Sequence, residues 1–152
     1  MQIAQAQSLQ SHQNLNINFL GEASLVSLNY EYGHQLAEKV WLFSEVGLGY
    51  NREFLGCVLQ DGCTPKNFLT VPHHLTVNLG RGRNFFEGGM GGTLVVGSQS
   101  KPYWAYPIVG YRFQPEQARR MTFRIYAALP ISGKVAPDLL FLPVGINLGL
   151  RL

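Results

Sequence analysis

The sequence predicts an all-β fold: an eight-stranded antiparallel up-and-down transmembrane β-barrel with a polar, side-chain-filled interior. Apolar and polar residues alternate in eight successive segments, which is the pattern of strands with one apolar face. Only 14% of the 152 residues are charged, against roughly 25% in ordinary soluble domains. No apolar run reaches the roughly 18 residues of a transmembrane helix, so a membrane protein of this composition would have to be a closed barrel.

The first four segments each pair an apolar face with a face of asparagine, serine, threonine, glutamate or glycine. Gly21-Glu22 is predicted to form a tight turn after the first segment. The polar stretch 33–39 is predicted to end the second segment, and the long loop 51–66 the third. The apolar faces consist of Leu15, Ile17 and Phe19; Val26, Leu28, Tyr30 and Tyr32; Val40, Leu42, Val46, Leu48 and Tyr50; and Leu69, Val71, Leu75, Val77 and Leu79.

The last four segments continue the pattern, with connections predicted at 80–84, 98–102, 115–120 and 132–140. Segments five to seven have the apolar faces Phe86, Met90, Leu94 and Val96; Tyr103, Ala105, Val109, Tyr111 and Phe113; and Met121, Phe123, Ile125, Ala127 and Leu129. The closing segment is the most regular, because every second residue is aliphatic up to the last position. Its predicted lipid-facing residues are Leu142, Val144, Ile146, Leu148, Leu150 and Leu152.

Three prolines fall inside or beside these segments: Pro72, Pro107 and Pro143. Each removes a backbone donor, and a closed barrel has no edge strand to accommodate the loss. We therefore expect a bulge or a strand end at each proline.

The chain is predicted to form one β-barrel domain over residues 14–152, preceded by a flexible tail over residues 1–13. Within that tail, Ala4-Gln5-Ala6 resembles the small-x-small end of a secretory signal, although a Gln/Ala-rich tail also produces such a match by chance.

Charged residues recur on the inferred polar face of the strands. Inside an eight-stranded barrel such charges must pair, because unpaired buried charges are costly. The predicted interior charge network is Glu31, Glu45, Glu87, Arg112 and Arg124, with Arg151 and His74 as further members. The alternative is that these charges lie on the solvated face of a soluble sheet. Glycines on the same face are predicted to leave room for the long Arg and Tyr side chains: Gly47, Gly49, Gly89, Gly91, Gly110, Gly145 and Gly149.

The remaining chemical motifs are sparse. Cys57 and Cys63 are predicted to form a loop disulfide in an oxidising compartment, with two free thiols as the alternative. Adjacent residues of a strand point to opposite faces, so His73 and His74 are not expected to chelate one ion together. We expect no catalytic residue, metal or cofactor. The net charge of +3 comes from scattered basic residues, which does not favour nucleic-acid binding.

Three stretches of the chain resemble a known family: Gly21 to Tyr32, Gly110-Tyr111-Arg112-Phe113-Gln114-Pro115, and Val144 to Leu152. They look like small outer-membrane β-barrel proteins of Bacteroidota-type bacteria, which are similar in architecture to the eight-stranded OmpA and OmpX barrels. The resemblance covers residues 14–152. It implies a periplasmic C-terminus and recognition by the barrel-assembly machinery during insertion. Members of the family usually end in an aromatic residue, whereas this chain ends in Leu152.

The function expected from these observations is that of an integral outer-membrane barrel with a non-enzymatic structural, anchoring or complex-subunit role. Its expected partners are outer-membrane lipids and other subunits of an outer-membrane complex. One alternative is a lipid-modifying barrel enzyme, for which the outer-loop candidates are Asp61, Ser98, Ser100, Ser132 and Asp138. A second alternative is a soluble lipocalin-like barrel with its apolar face turned inward around an apolar ligand.

Overall fold

The fold is a closed barrel of eight antiparallel strands. The computed structural model describes residues 10–53, 64–97, 103–114, 120–131 and 140–152. Consecutive strands pair with each other, and β1 pairs with β8 to close the barrel. The strands are β1 Ser11–Phe19, β2 Val26–Ala37, β3 Val40–Arg52, β4 Asn67–Arg81, β5 Asn84–Val96, β6 Tyr103–Phe113, β7 Met121–Ala128 and β8 Val144–Arg151. The predicted all-β, eight-stranded up-and-down architecture is therefore confirmed.

Burial follows the alternation of the sequence, and the predicted apolar faces form the exposed side of the sheet. Strand β7 shows this most simply, because exposed and buried residues alternate along all of Met121–Ala128. In β1, Asn14, Asn16 and Asn18 are buried while the aliphatic residues between them are exposed. A sheet that closes on itself sends alternate side chains to its inside and outside, so the buried residues point into the barrel. No helix long and apolar enough to cross a membrane occurs among the described residues.

The connection between β2 and β3 differs from the prediction. The sequence predicts a turn over 33–39, but β2 continues to Ala37 and β3 begins at Val40. His34 pairs with Ser11 on one side and with Leu42 on the other, so its backbone belongs to the sheet. The polarity of this stretch thus marks the rim of the barrel rather than the end of pairing. A register shift between Gln35 and Ala37 accompanies the turn.

The prediction of a bulge or a strand end is wrong at Pro72 and Pro107, because β4 and β6 continue through them without a register shift; only one ladder beside each proline is interrupted. The β3–β4 ladder pairs Val46 with His73 and Gly49 with Thr70, and the two positions between them, which include Pro72, are not paired across this ladder. Pairing of β6 with β7 begins at Ile108, directly after Pro107. The prediction of a strand end is confirmed at Pro143, because β8 begins at the following residue.

The start of β8 corrects one residue of the predicted lipid face. The strand begins only after Pro143, because proline has no N–H with which to continue the ladder. Leu142 therefore precedes the strand, and it is half-buried. The Pro143 carbonyl instead accepts a bond from the Ala128 amide at 2.9 Å. The remaining predicted residues, from Val144 to Leu152, are exposed.

Two apolar clusters occupy the two ends of the barrel. The terminal end, where β1 begins and β8 ends, holds Trp41, Phe43 and Phe85. The opposite end holds a larger cluster, against which Phe141 packs. Its members are Ala23, Phe68, Val95, Trp104, Tyr106, Ile108, Tyr126 and Ala128.

Candidate functional site

The largest group of buried charged residues lies between the two apolar clusters, and we call it the ionic cluster. Glu31, Glu45 and His74 occupy directly opposed positions on β2, β3 and β4. Glu87, Arg112 and Arg124 come from β5, β6 and β7, and Glu22 comes from the β1–β2 turn. All seven side chains are buried. The structure thus brings together Glu31, Glu45, Glu87, Arg112 and Arg124, the five residues that the sequence analysis assigns to an interior network.

Arg112 organises the half of the cluster nearest the terminal end. Its Nη1 and Nη2 atoms lie 2.7 and 2.5 Å from Oε1 and Oε2 of Glu31, which is the two-pronged geometry that favours arginine over lysine. Its Nε lies 3.4 Å from Oε2 of Glu87. The guanidinium carbon stands 4.1 Å from the centre of the Phe43 ring, a cation–π contact with the apolar cluster below.

Arg124 organises the other half. Its Nη2 atom lies 2.7 Å from Oε1 of Glu87, and its Nη1 atom lies 3.5 Å from Oε2 of Glu45. The same Nη1 lies 3.0 Å from Nε2 of His74. The guanidinium stacks over Tyr126, 4.2 Å from the ring centre. Glu87 therefore bridges the two arginines, and the two halves form one connected cluster.

Asparagines on β1 and β2 donate to the carboxylates. The Nδ2 of Asn14 lies 2.7 Å from Oε1 of Glu31, and that of Asn16 lies 3.1 Å from Oε2 of Glu45. Asn18 and Asn29 also donate to Glu45. Each amide stabilises a buried carboxylate without adding charge. The alternating asparagines of β1 were visible in the sequence, but only the register across strands shows which carboxylate each one contacts.

Glu22 is the member of the cluster that sequence reasoning missed. The sequence predicts a tight turn at this residue, yet Glu22 is buried, with a fractional exposure of 1%. Its Oε2 accepts a bond from Asn18 at 2.8 Å, and its Oε1 lies 3.3 Å from Nδ1 of His74. A turn residue has no alternation pattern, so nothing in the sequence indicates that this carboxylate points inward.

The turn that delivers Glu22 has an unusual backbone. Leu20, Glu22 and Ala23 have φ angles of 63°, 52° and 54°, and Gly21 between them has 70°. The left-handed region costs non-glycine residues about 1–3 kcal/mol each, so such residues persist only where their surroundings hold them. Here Thr93 donates to the Glu22 carbonyl at 2.7 Å, and Asn51 donates to the Ala23 carbonyl at 2.6 Å.

His73 and His74 are separated by the barrel wall, as the sequence predicts for neighbours on a strand. His74 lies within the ionic cluster, with Nδ1 toward Glu22 and Nε2 3.3 Å from Oε2 of Glu45. His73 lies outside, where its Nε2 is 2.9 Å from the Tyr103 hydroxyl. Tyr103 reaches His73 by crossing Gly92, where an added Cβ would meet the hydroxyl at 1.9 Å.

The position of Arg151 and the neighbours of the interior glycines differ in part from the prediction. Arg151 is only half-buried at the end of β8, outside the set of paired charges just described. The interior glycines leave room for tyrosine side chains, as predicted, but asparagine and threonine rather than arginine lie against several of the others. A Cβ on Gly145 would meet the Tyr126 ring at 2.3 Å, and one on Gly91 would meet the Tyr106 ring at 2.4 Å.

Several predicted residues lie outside the described ranges. These are both cysteines of the predicted disulfide, Cys57 and Cys63, and the candidates for an outer-loop enzyme site, Asp61, Ser98, Ser100, Ser132 and Asp138.

One group within the cluster has the composition of a metal site. Glu22, Glu45 and His74 each offer one ligand atom, and these atoms all lie within 4.8 Å of one another. No metal was expected from the sequence, because His73 and His74 are strand neighbours that point to opposite faces.

Comparison of the chain with protein-family models, with curated proteins and with solved structures gave no match. The barrel geometry and the chemistry of its two faces therefore carry the functional interpretation.

Proposed function

We propose that this chain is an integral outer-membrane β-barrel with a non-enzymatic structural, anchoring or complex-subunit role. The observation that carries the proposal is the exposed surface of the barrel. Exposed apolar residues occupy every strand, including Leu28 and Leu48 at 52% and 62% exposure. Monomeric soluble proteins rarely present a contiguous apolar patch beyond about 300–600 Å². A band of aliphatic and aromatic side chains around a whole barrel suits a lipid environment.

The side chains at the two ends of the band support the same environment. Tyr50 bonds through its hydroxyl to Asn67 at 2.8 Å, and Tyr111 bonds to Asn84 at 2.7 Å. The two pairs lie at opposite ends of the barrel. Tyrosines with an apolar ring and a bonded hydroxyl are enriched at membrane–water interfaces.

The orientation of the faces favours this proposal over a lipocalin-like barrel. A barrel that binds an apolar ligand needs apolar side chains inside and charged ones outside. Here Glu31, Glu87 and Arg112 are buried, whereas Leu148 and Leu150 are exposed. An enzyme is not proposed, because no described observation favours one.

The location is proposed from topology and from the resemblance of the sequence. An even number of antiparallel strands places both termini at the same end, as in bacterial outer-membrane barrels. We assign that end to the periplasm. Outer-membrane lipids and, during insertion, the barrel-assembly machinery are the proposed partners, together with other subunits of an outer-membrane complex. An origin in Bacteroidota-type bacteria stays a prediction.

The proposal is tested by fractionation and by gel mobility. The full chain is expressed in a Gram-negative host, and its outer membranes are solubilised in mild detergent. We expect the chain in the outer-membrane fraction, with different migration before and after boiling because the folded barrel is compact. A chain that purifies as a soluble monomer without detergent would overturn the proposal. Proteins that co-purify in mild detergent then identify the complex in which it serves.

A further inference from the structure

The buried charges of the ionic cluster do not sum to zero. Its carboxylates are Glu22, Glu31, Glu45 and Glu87, and its permanent cations are Arg112 and Arg124. The remaining titratable member in the described structure is His74. Four carboxylates against two guanidiniums leave two negative charges with a neutral imidazole, and one with a protonated imidazole. Uncompensated charge is costly where water is excluded.

Two buried atoms of the cluster face each other at ion-pair distance. Oε1 of Glu22 and Nδ1 of His74 make no well-aligned hydrogen bond among the described residues, and both side chains are almost wholly buried. The two atoms lie 3.3 Å apart. Ligands at about 2.0–2.2 Å from a tetrahedral ion stand about 3.4 Å from each other, so this spacing fits two ligands of one ion.

We propose that Glu22 and His74 bind one divalent transition-metal ion, such as Zn²⁺, with Glu45 supporting the site. A divalent cation with a neutral imidazole brings the cluster charge to zero, as four carboxylates then balance two guanidiniums and the ion. Nitrogen and carboxylate ligands are those that Zn²⁺ accepts. Binding at Nδ1 leaves the proton on Nε2, which faces Oε2 of Glu45 at 3.3 Å. A carboxylate in that position orients a metal-bound histidine.

Arg124 is compatible with this site after a small rotation. Its Nη1 lies 3.0 Å from Nε2 of His74, on the side of the ring away from Nδ1. Nη1 lies farther, at 4.0 Å, from Oε1 of Glu22. When Nε2 carries a proton, Nη1 turns toward Oε2 of Glu45, from which it is 3.5 Å away. The site does not depend on the membrane location of the barrel, so the two proposals fail separately.

The test uses Co²⁺ as a spectroscopic substitute for Zn²⁺. The full chain, without an affinity tag and with Cys57→Ser and Cys63→Ser to remove thiol ligands, is refolded in detergent with Co²⁺ and freed of excess ion by gel filtration. We expect about one ion retained per folded chain, with the visible absorption of nitrogen and oxygen coordination and no thiolate band. A folded chain that retains no ion would overturn the proposal and leave the barrel assignment unaffected.

Single substitutions locate the ion. Glu22→Gln and His74→Gln are expected to lower the affinity by about tenfold or more, whereas His73→Gln, a matched change across the barrel wall, leaves it unchanged. Folding of each variant is checked by its migration before and after boiling. Loss of the ion in His73→Gln but not in His74→Gln would contradict the assignment. If either cluster variant fails to fold, the Co²⁺ spectrum and a Zn²⁺-dependent rise in the urea midpoint of the Cys57→Ser/Cys63→Ser protein still decide the question.

Discussion

Replacement of Arg112 by methionine removes a guanidinium that contacts two buried carboxylates while keeping an unbranched apolar side chain. Arg112 holds both oxygens of Glu31, at 2.7 and 2.5 Å, and one oxygen of Glu87 at 3.4 Å. Glu87 keeps Arg124 as a partner at 2.7 Å. Glu31 keeps the hydrogen bond from the Asn14 amide at 2.7 Å, but Arg112 is its one cation within ion-pair distance among the described residues. The substitution therefore leaves one carboxylate without a counter-charge.

The expected cost follows from that burial. Removing one partner of a buried ion pair costs about 3–5 kcal/mol, because the remaining charge is desolvated and uncompensated. Glu31 is 0% exposed, so water cannot replace the lost donors. We expect the free energy of unfolding to fall by about 4 kcal/mol. Adding Glu31→Gln to Arg112→Met removes the stranded charge, so the double variant should be more stable than Arg112→Met alone.

Urea unfolding in lipid vesicles measures this change through tryptophan fluorescence, since Trp41 and Trp104 are both buried in the folded barrel. Arg120→Met is the matched control, because Arg120 is exposed. A loss for Arg112→Met within about 1 kcal/mol of the control, the size of an exposed ion pair, would refute the reasoning. So would a double variant that is less stable than the single one.

Two further predictions concern the inside and the outside of the wall. Gly145→Ala places a methyl group 2.3 Å from the Tyr126 ring and should lower the free energy of unfolding in urea by about 1–3 kcal/mol. Gly88→Ala is the control and should cost far less, because its methyl group meets nothing within 4 Å. Equal losses of stability in the two variants would contradict the packing described for Tyr126. Leu148→Arg, on the exposed face of β8, should destabilise the barrel in vesicles by about 2–4 kcal/mol, because the charge enters lipid. Leu148→Ala is the control, and an equal urea midpoint for the two variants would place that face in water.

The sequence predicted the number, order and faces of the strands, because closure of the barrel imposes period-two alternation on every strand. In β7 that alternation is complete, and the predicted faces match the burial residue by residue. The alternation does not determine where a strand ends. The polar residues from Gly33 to Ala37 were assigned to a turn, yet their backbone pairs within the sheet and their polarity reflects the rim.

Six of the seven members of the ionic cluster were also predictable, because they lie on the polar face of their strands. These six are Glu31, Glu45, His74, Glu87, Arg112 and Arg124. Their pairing was not, because the contact of Arg112 with Glu31 spans 81 positions of the chain. Glu22 lay beyond prediction for a different reason. It points inward only because Leu20, Glu22 and Ala23 adopt left-handed backbone angles, and no periodic pattern encodes such a turn.

The central claim is that the apolar outer face of the barrel contacts lipid, and probe labelling along β8 tests it most directly. Single cysteines are placed in turn at positions 146, 147, 148 and 150 in a Cys57→Ser/Cys63→Ser background, and vesicles are treated with a thiol reagent dissolved in the lipid or with one dissolved in water. We expect the lipid-soluble reagent to label positions 146, 148 and 150, which are exposed, and to spare position 147, which is buried. Labelling of 146, 148 and 150 by the water-soluble reagent alone would contradict it.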